Sequence, residues 1–107
     1  MASVGKAVPI GFAPLRPTAE AELAAYGIDL RGKRVADIGA GKGRLALGAA
    51  RMARAVVAVE PDRDALAEAR ANAKREGLHN VTFRGDAAQD LALPSRSFDV
   101  VLFSWVL

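Results

Sequence analysis

Three glycines on alternate positions, Gly39, Gly41 and Gly43, separate a short apolar run from a stretch with helical spacing in the segment VADIGAGKGRLAL, residues 35–47. No other feature constrains the fold as much. A strand that turns through glycines into a helix implies a βα turn whose backbone lies open to a ligand, because glycine adopts positive φ and has no β-carbon to collide with a bound group. Glu60 ends the next apolar run about twenty residues on, where an α/β nucleotide fold places the acid that holds a ribose.

The rest of the chain repeats the alternation of strand and helix. Residues 1–17, rich in Gly, Pro and small side chains, read as a mobile lead-in without periodicity. Thr18 is the expected N-cap of a short helix through Tyr26, with Leu23 and Tyr26 on one face and Gly27 as its stop, packed beside the sheet. A turn over 29–33 leads to a first strand, Arg34–Ile38. After the glycines, Leu45, Ala49, Met52 and Ala53 recur at helical spacing, with Arg44 and Arg51 on the opposite side. Ala55–Val59 is an unbroken apolar run rich in valine, the pattern of a strand covered on both faces, which implies a parallel sheet with helices above and below. Asp62 is placed to cap a further helix with Leu66, Ala69 and Ala73 as its stripe and Gly77 as its end. Val81–Arg84 is a third strand closed by Gly85 and Asp86; a loop with Pro94 follows, and 98–103 is a fourth strand. The class is α/β with right-handed crossovers.

Composition narrows the chemistry. A chain of 107 residues is one domain at most, and 51% hydrophobic with 25% charged residues set it among soluble globular proteins rather than disordered, collagen-like or membrane chains. The absence of cysteine removes disulfides, thiolate metal sites and cysteine nucleophiles; with one histidine, His79, a zinc or iron site is disfavoured as well. The net charge of +3 comes from arginines spread along predicted helices, such as Arg44, Arg51, Arg63 and Arg70, which read as a solvated face. The tightest basic group, Arg31, Lys33 and Arg34, lacks the aromatic interleaving of a nucleic-acid surface. Pro9, Gly11 and Pro14 interrupt the apolar stretch after Lys6, which leaves no signal-peptide core or membrane span and makes a cytoplasmic location the default.

Gly39 to Gly43, Glu60 and Asp86 each follow a strand, so all three line the edge outside the carboxyl ends of the sheet, where ligands bind. The Glu60 carboxylate can accept from the two vicinal hydroxyls of a ribose, and Asp86 from an exocyclic amine such as that of adenine; together they describe a nucleoside. Each also has a plainer reading: Asp37 can hold the loop backbone, Glu60 can cap the following helix, and Asp86 can be a turn residue after Gly85. Asp99 reads as the start of a strand, His79 as a surface residue, and Trp105 and Tyr26 as core or interface. Nothing places His79 near Ser95, Ser97 or Ser104 to form a triad. Glycine spacing then separates the nucleosides. A dinucleotide fingerprint needs G-x-G-x-x-G, but its third glycine falls on Arg44; a P-loop needs glycine at Ala36 and Ser or Thr after Lys42, where Gly43 stands.

Over 34–107 the chain resembles the class I S-adenosylmethionine-dependent methyltransferases. The D-x-G-x-G-x-G unit of that family corresponds to Asp37 through Gly43, its ribose acid to Glu60, its adenine-contacting acid to Asp86, and its F-D-apolar fourth strand to Phe98, Asp99, Val100, Val101 and Leu102. The resemblance implies a Rossmann-like parallel sheet with flanking helices. It implies S-adenosyl-L-methionine as cofactor, held by Asp37, Gly39, Ala40, Gly41, Gly43, Glu60, Pro61, Asp86, Ala87 and Ser104. Within that set the Ala87 N–H would meet the adenine ring, and the loop near Gly39 with the following helix start would hold the methionyl part. No catalytic residue is implied, because holding donor and acceptor in line supplies most of the catalysis.

Two departures from the family pattern bear on the substrate. Lys42 stands where a small hydroxyl residue is frequent, its role open between shielding the pocket and reaching toward an acid. Ser104-Trp105 stands where methyltransferases of nucleobase amines carry Asn/Asp-Pro-Pro-Tyr/Phe, which turns the reading to small-molecule acceptors. The family sheet has seven strands and this sequence stops after the fourth. The expected organisation is therefore a lead-in with a short helix over 1–33 and an incomplete cofactor-binding domain over 34–107, a fragment whose fourth strand is an edge open to self-association or a partner chain. Two further readings stand beside methyl transfer: a non-catalytic cofactor-binding module completed by a partner chain, and an NAD-dependent oxidoreductase domain.

Overall fold

The structure is a computed structural model that describes residues 18–85 and 98–104. The lead-in over 1–17, the sites expected at Asp86 and Ala87, the loop with Pro94, and Trp105 lie outside the described residues. The elements run α1 (Ala19–Ala25), β1 (Arg34–Ile38), α2 (Arg44–Ala50), β2 (Ala55–Val59), α3 (Arg63–Arg75), β3 (Val81–Arg84) and β4 (Val100–Phe103).

The described strands form one sheet in the order β3-β2-β1-β4, and every pairing is parallel. From β1 the chain steps outward through β2 to β3, then returns to the other side of β1 as β4. The reversal makes a switch point between β1 and β4, the position at which open α/β sheets bind ligands. Side chains alternate across the sheet. Val35, Val56 and Ala58 join Leu23 of α1 and Ala46 and Ala49 of α2 in the larger core; Ala36, Ile38 and Val59 form a second one with the half-buried Val57 and Phe98.

Where the local signals agree, the elements form as the sequence predicts. In α3 the Asp62 side chain accepts from the N–H groups of Asp64 and Ala65, Leu66, Ala69 and Ala73 are buried, and Gly77 turns the chain at φ +69°. Thr18 caps α1 by accepting from the Ala21 N–H at 3.0 Å.

Five expectations are corrected. The helix α2 ends at Ala50, so Met52 and Ala53 leave its stripe; Ala53 instead bridges antiparallel to Arg31, and the Asn80 amide ties off the helix end by donating to the carbonyls of Ala50 (2.9 Å) and Ala53 (3.1 Å). The main packing partner of α1 is α2 rather than the sheet. That crossing is so close that a Cβ on Gly48 would stand 2.3 Å from the Cβ of Ala19. Arg44 and Arg51 are therefore more than a solvated face: still partly exposed, Arg44 pairs with Glu22 and Arg51 with Glu20, each at 2.9 Å, and Arg51 also meets Glu76 after α3. Tyr26, expected beside Leu23, is 68% exposed, because α1 ends at Ala25 and the chain turns at Gly27 before another helical position can form. Finally, β4 starts at Val100, since Asp99 acts as its bracket: its N–H donates to the Arg34 carbonyl (2.8 Å) while its carboxylate accepts from the Arg34 N–H (2.9 Å).

Candidate cofactor site

The loop leaving β1 folds over the end of β2. The N–H groups of Gly39 and Ala40 both donate to the Val59 carbonyl, at 2.8 and 2.9 Å. This path needs positive φ at Gly39, Gly41 and Gly43 (75°, 58° and 92°), a region that glycine enters without steric penalty. Two of these glycines differ in their surroundings. A Cβ on Gly43 would lie 3.1 Å from the Cβ of Ala69, so the absent side chain lets α2 begin against α3; a Cβ on Gly41 would meet nothing within 4 Å, so open space lies over the middle of the loop. Between them, the Lys42 carbonyl accepts from the Asn72 amide (3.2 Å), and its ammonium reaches an acid, Glu68, at 3.8 Å.

Glu60 closes β2 and is 8% exposed. One of its oxygens accepts from the Gly41 N–H at 2.7 Å and the other from the Asp62 N–H at 2.9 Å. It therefore braces the glycine loop and the start of α3 together. A carboxylate offers about four lone-pair positions, so roughly two remain for a further ligand.

Asp37, near the end of β1, is completely buried. Its Oδ1 accepts from the Ser104 hydroxyl at the end of β4, and not from the loop backbone. Its Oδ2 has no hydrogen-bond partner among the described residues. Burial, and then the negative charge of Glu60, push its pKa up from 3.8 to about 6, against the lowering effect of the Ser104 hydrogen bonds. An acid with one held and one free oxygen, in a low-dielectric setting, is suited to a positively charged hydrogen-bond donor.

The fold thus brings Asp37, the loop from Gly39 to Gly43, Glu60, the exposed Pro61 and Ser104 to the carboxyl ends of β1, β2 and β4. The exposed His79 precedes β3, at the amino ends of the strands. The Ser104–Asp37 contact is not evident from the sequence alone. The signal that could have revealed it is strand register: β1 and β4 pair up to Ile38 and Phe103, which leaves Ser104 one step beyond. A separate groove of about 410 Å³ opens between the helices, lined by Thr18, Lys42, Arg44, Arg51 and Asn72 among others, and includes none of Asp37, Glu60 and Ser104. Among the described residues no group of three His, Cys, Asp or Glu is placed to hold a metal ion, and no helix is long and apolar enough to cross a membrane.

Residues 35–107 match the family described as a methyltransferase domain. This chain belongs to the class I S-adenosylmethionine-dependent methyltransferases. It is similar to a ubiquinone biosynthesis O-methyltransferase of Rhizobium etli, 40% identical over 73 residues, which make up 68% of this chain and 29% of that protein. It is also similar to a 23S rRNA (uracil(1939)-C(5))-methyltransferase of Stenotrophomonas maltophilia, 37% identical over 87 residues, 77% of this chain and 20% of that one. Among solved structures, a phosphoethanolamine N-methyltransferase of Haemonchus contortus, in complex with phosphoethanolamine and S-adenosylhomocysteine, matches with a TM-score of 0.74 at 25% identity, over 83% of this chain and 19% of that one. The chain spans less than a third of the length of these curated relatives. Family membership carries with it the Rossmann-like sheet and S-adenosylmethionine as the family's cofactor.

Proposed function

We propose that this chain forms the cofactor-holding part of an S-adenosylmethionine-dependent methyltransferase acting on a small-molecule acceptor. One observation carries the reading: at the β1–β4 switch point a glycine loop is clamped by Glu60, while a buried carboxylate, Asp37, keeps a free oxygen. The residues fit the group. Glu60 retains acceptor capacity for a ribose diol, the space over Gly41 admits a ligand against the loop backbone, and Asp37 offers a partner for a cationic donor. The cofactor, when bound, supplies a methyl group already activated by a positively charged sulfur. The protein's task is then to bind, to orient and to exclude water. In this reading Gly39, Ala40, Gly41 and Gly43 line the methionyl part, Pro61 and Ser104 flank the site, and Asp86 and Ala87 contact the adenine.

The binding unit is 34–107, with a lead-in over 1–33 that carries α1. A small acceptor is supported by the name of the Rhizobium relative, and by the pairing of Lys42, Arg44 and Arg51 with Glu68, Glu22 and Glu20, which leaves those cations little excess charge for a polynucleotide. Among the described residues β4 pairs only with β1, and its Val101 and Phe103 are 48% and 75% exposed. A further strand, from this protein or a partner chain, would pair with the open backbone edge of β4. A cytoplasmic setting goes with this reading by default.

Calorimetric titration with S-adenosylhomocysteine is expected to give saturable heat, and NAD none. Binding of NAD in place of S-adenosylhomocysteine would overturn the assignment.

A further inference from the structure

Ser104 follows β4, and its N–H donates to the Ile38 carbonyl at 3.0 Å, extending the β1–β4 ladder one step past the last paired strand residues. That step sets its hydroxyl against Asp37, 67 positions earlier in the chain, so that Oγ–H donates to Oδ1. The ladder itself does not require serine, because any residue but proline supplies the same backbone N–H. What serine adds is the bond to Asp37. The carboxylate is buried, its other oxygen is unpartnered among the described residues, and the side chains whose charge or hydrogen bonds act on it are Ser104 from β4 and Glu60 from the end of β2.

We propose that Ser104 is a positioning residue for Asp37: its hydroxyl engages Oδ1 and holds the ionised carboxylate with Oδ2 as the free acceptor for a positively charged donor of the bound ligand. The proposal rests on the cofactor reading and adds to it a mechanical and electrostatic link from β4 to β1. The hydroxyl favours the anion by hydrogen bonding, while burial and the Glu60 carboxylate disfavour it. Without the hydroxyl, Asp37 retains its proton to higher pH. A protonated Asp37 carboxyl has lost the charge that attracts a cation.

Two readouts test this in the same chain. The carboxyl-carbon resonance of Asp37, followed against pH without ligand, is expected to titrate about half to one pH unit higher in Ser104→Ala than in wild type, and Ser104→Thr is expected to restore it. Binding of S-adenosylhomocysteine near pH 6 is expected to weaken several-fold in Ser104→Ala, with the acid limb of its pH dependence displaced by the same interval, and to recover in Ser104→Thr. A purely structural role would weaken binding equally at every pH and leave the Asp37 midpoint in place; that result would overturn the proposal, as would a midpoint unchanged by Ser104→Ala. If wild type fails to bind S-adenosylhomocysteine, the cofactor reading falls and takes the ligand half of this proposal with it, whereas the Asp37 titration still decides whether Ser104 sets the state of the acid.

Discussion

Glu60 and Asp37 are both buried carboxylates at the same edge of one sheet, yet the folded chain gives them opposite surroundings. Glu60 has a backbone N–H on each oxygen, from Gly41 on one side and Asp62 on the other, and so fastens the glycine loop to the turn that starts α3. Asp37 has the Ser104 hydroxyl on one oxygen and nothing on the other among the described residues. A carboxylate that accepts backbone N–H bonds contributes to folding, whereas one left partly unsatisfied in the interior opposes it. The pair teaches that burial alone does not mark a ligand-binding acid. In the proposed reading the unspent hydrogen-bonding capacity does, and Asp37 has it in its most costly form.

The largest expected effect comes from removing that charge. Because the Asp37 pKa is raised from 3.8 to about 6 in the folded chain, the native state binds a proton that the unfolded state releases. Its contribution is therefore most favourable below about pH 4 and is lost as pH rises through about 6; above that, two pK units correspond to roughly 3 kcal/mol. Asp37→Asn is expected to stabilise the ligand-free chain at pH 8 by up to about 3 kcal/mol, to change it little at pH 4, and to weaken S-adenosylhomocysteine binding by about tenfold to a hundredfold. Urea denaturation at the two pH values and calorimetry measure both halves. An Asn variant no more stable than wild type at pH 8 would break the contrast between the two acids.

Glu60→Ala sharpens it, because the sign of the stability change reverses. The substitution leaves the N–H groups of Gly41 and Asp62 without their acceptor, which is expected to destabilise the chain by about 1–3 kcal/mol while also weakening S-adenosylhomocysteine binding by about tenfold to a hundredfold. The same denaturation and calorimetry apply. Intact affinity in Glu60→Ala would confine Glu60 to bracing the loop.

The strands β1, β2 and β3 were legible residue for residue, and the cap and buried stripe of α3 with them, since apolar runs, an Asp N-cap and terminal glycines all act within a few positions. So were the locations of Asp37, the glycines and Glu60, which follow from strand ends. The limits of α2 were not. In RLALGAARMA, small residues blur the difference between buried and exposed faces, and the helix end is fixed by Asn80, some thirty positions away through the fold. The pairing of Arg44 and Arg51 with α1 was hidden for a similar reason: an arginine that crosses to a neighbouring helix has the same spacing as one that faces water. The partners of the two acids were illegible for a third reason. Which donors a carboxylate meets depends on how a loop wraps and on strand register, and neither is a property of the local sequence.

A third carboxylate supplies the smallest effect and the strictest control. Asp99 joins the same two strands as the Asp37–Ser104 contact but at their amino ends, where it is exposed, accepts from the Arg34 N–H, and lies 3.5 Å from the Arg34 guanidinium. The backbone hydrogen bond first, and then the Arg34 side chain, hold its pKa below the ordinary carboxylate value, so its contribution is present at neutral pH and fades as pH falls, the reverse of Asp37. Asp99→Asn is expected to lower the unfolding midpoint slightly at pH 8 and not in acid, and to leave both S-adenosylhomocysteine affinity and the Asp37 titration unchanged. Thermal unfolding, calorimetry and the Asp37 carboxyl resonance report the three quantities. If Asp99→Asn weakened binding as much as Asp37→Asn, the spacing of β1 and β4 would set the affinity, and the free oxygen of Asp37 would lose its special place.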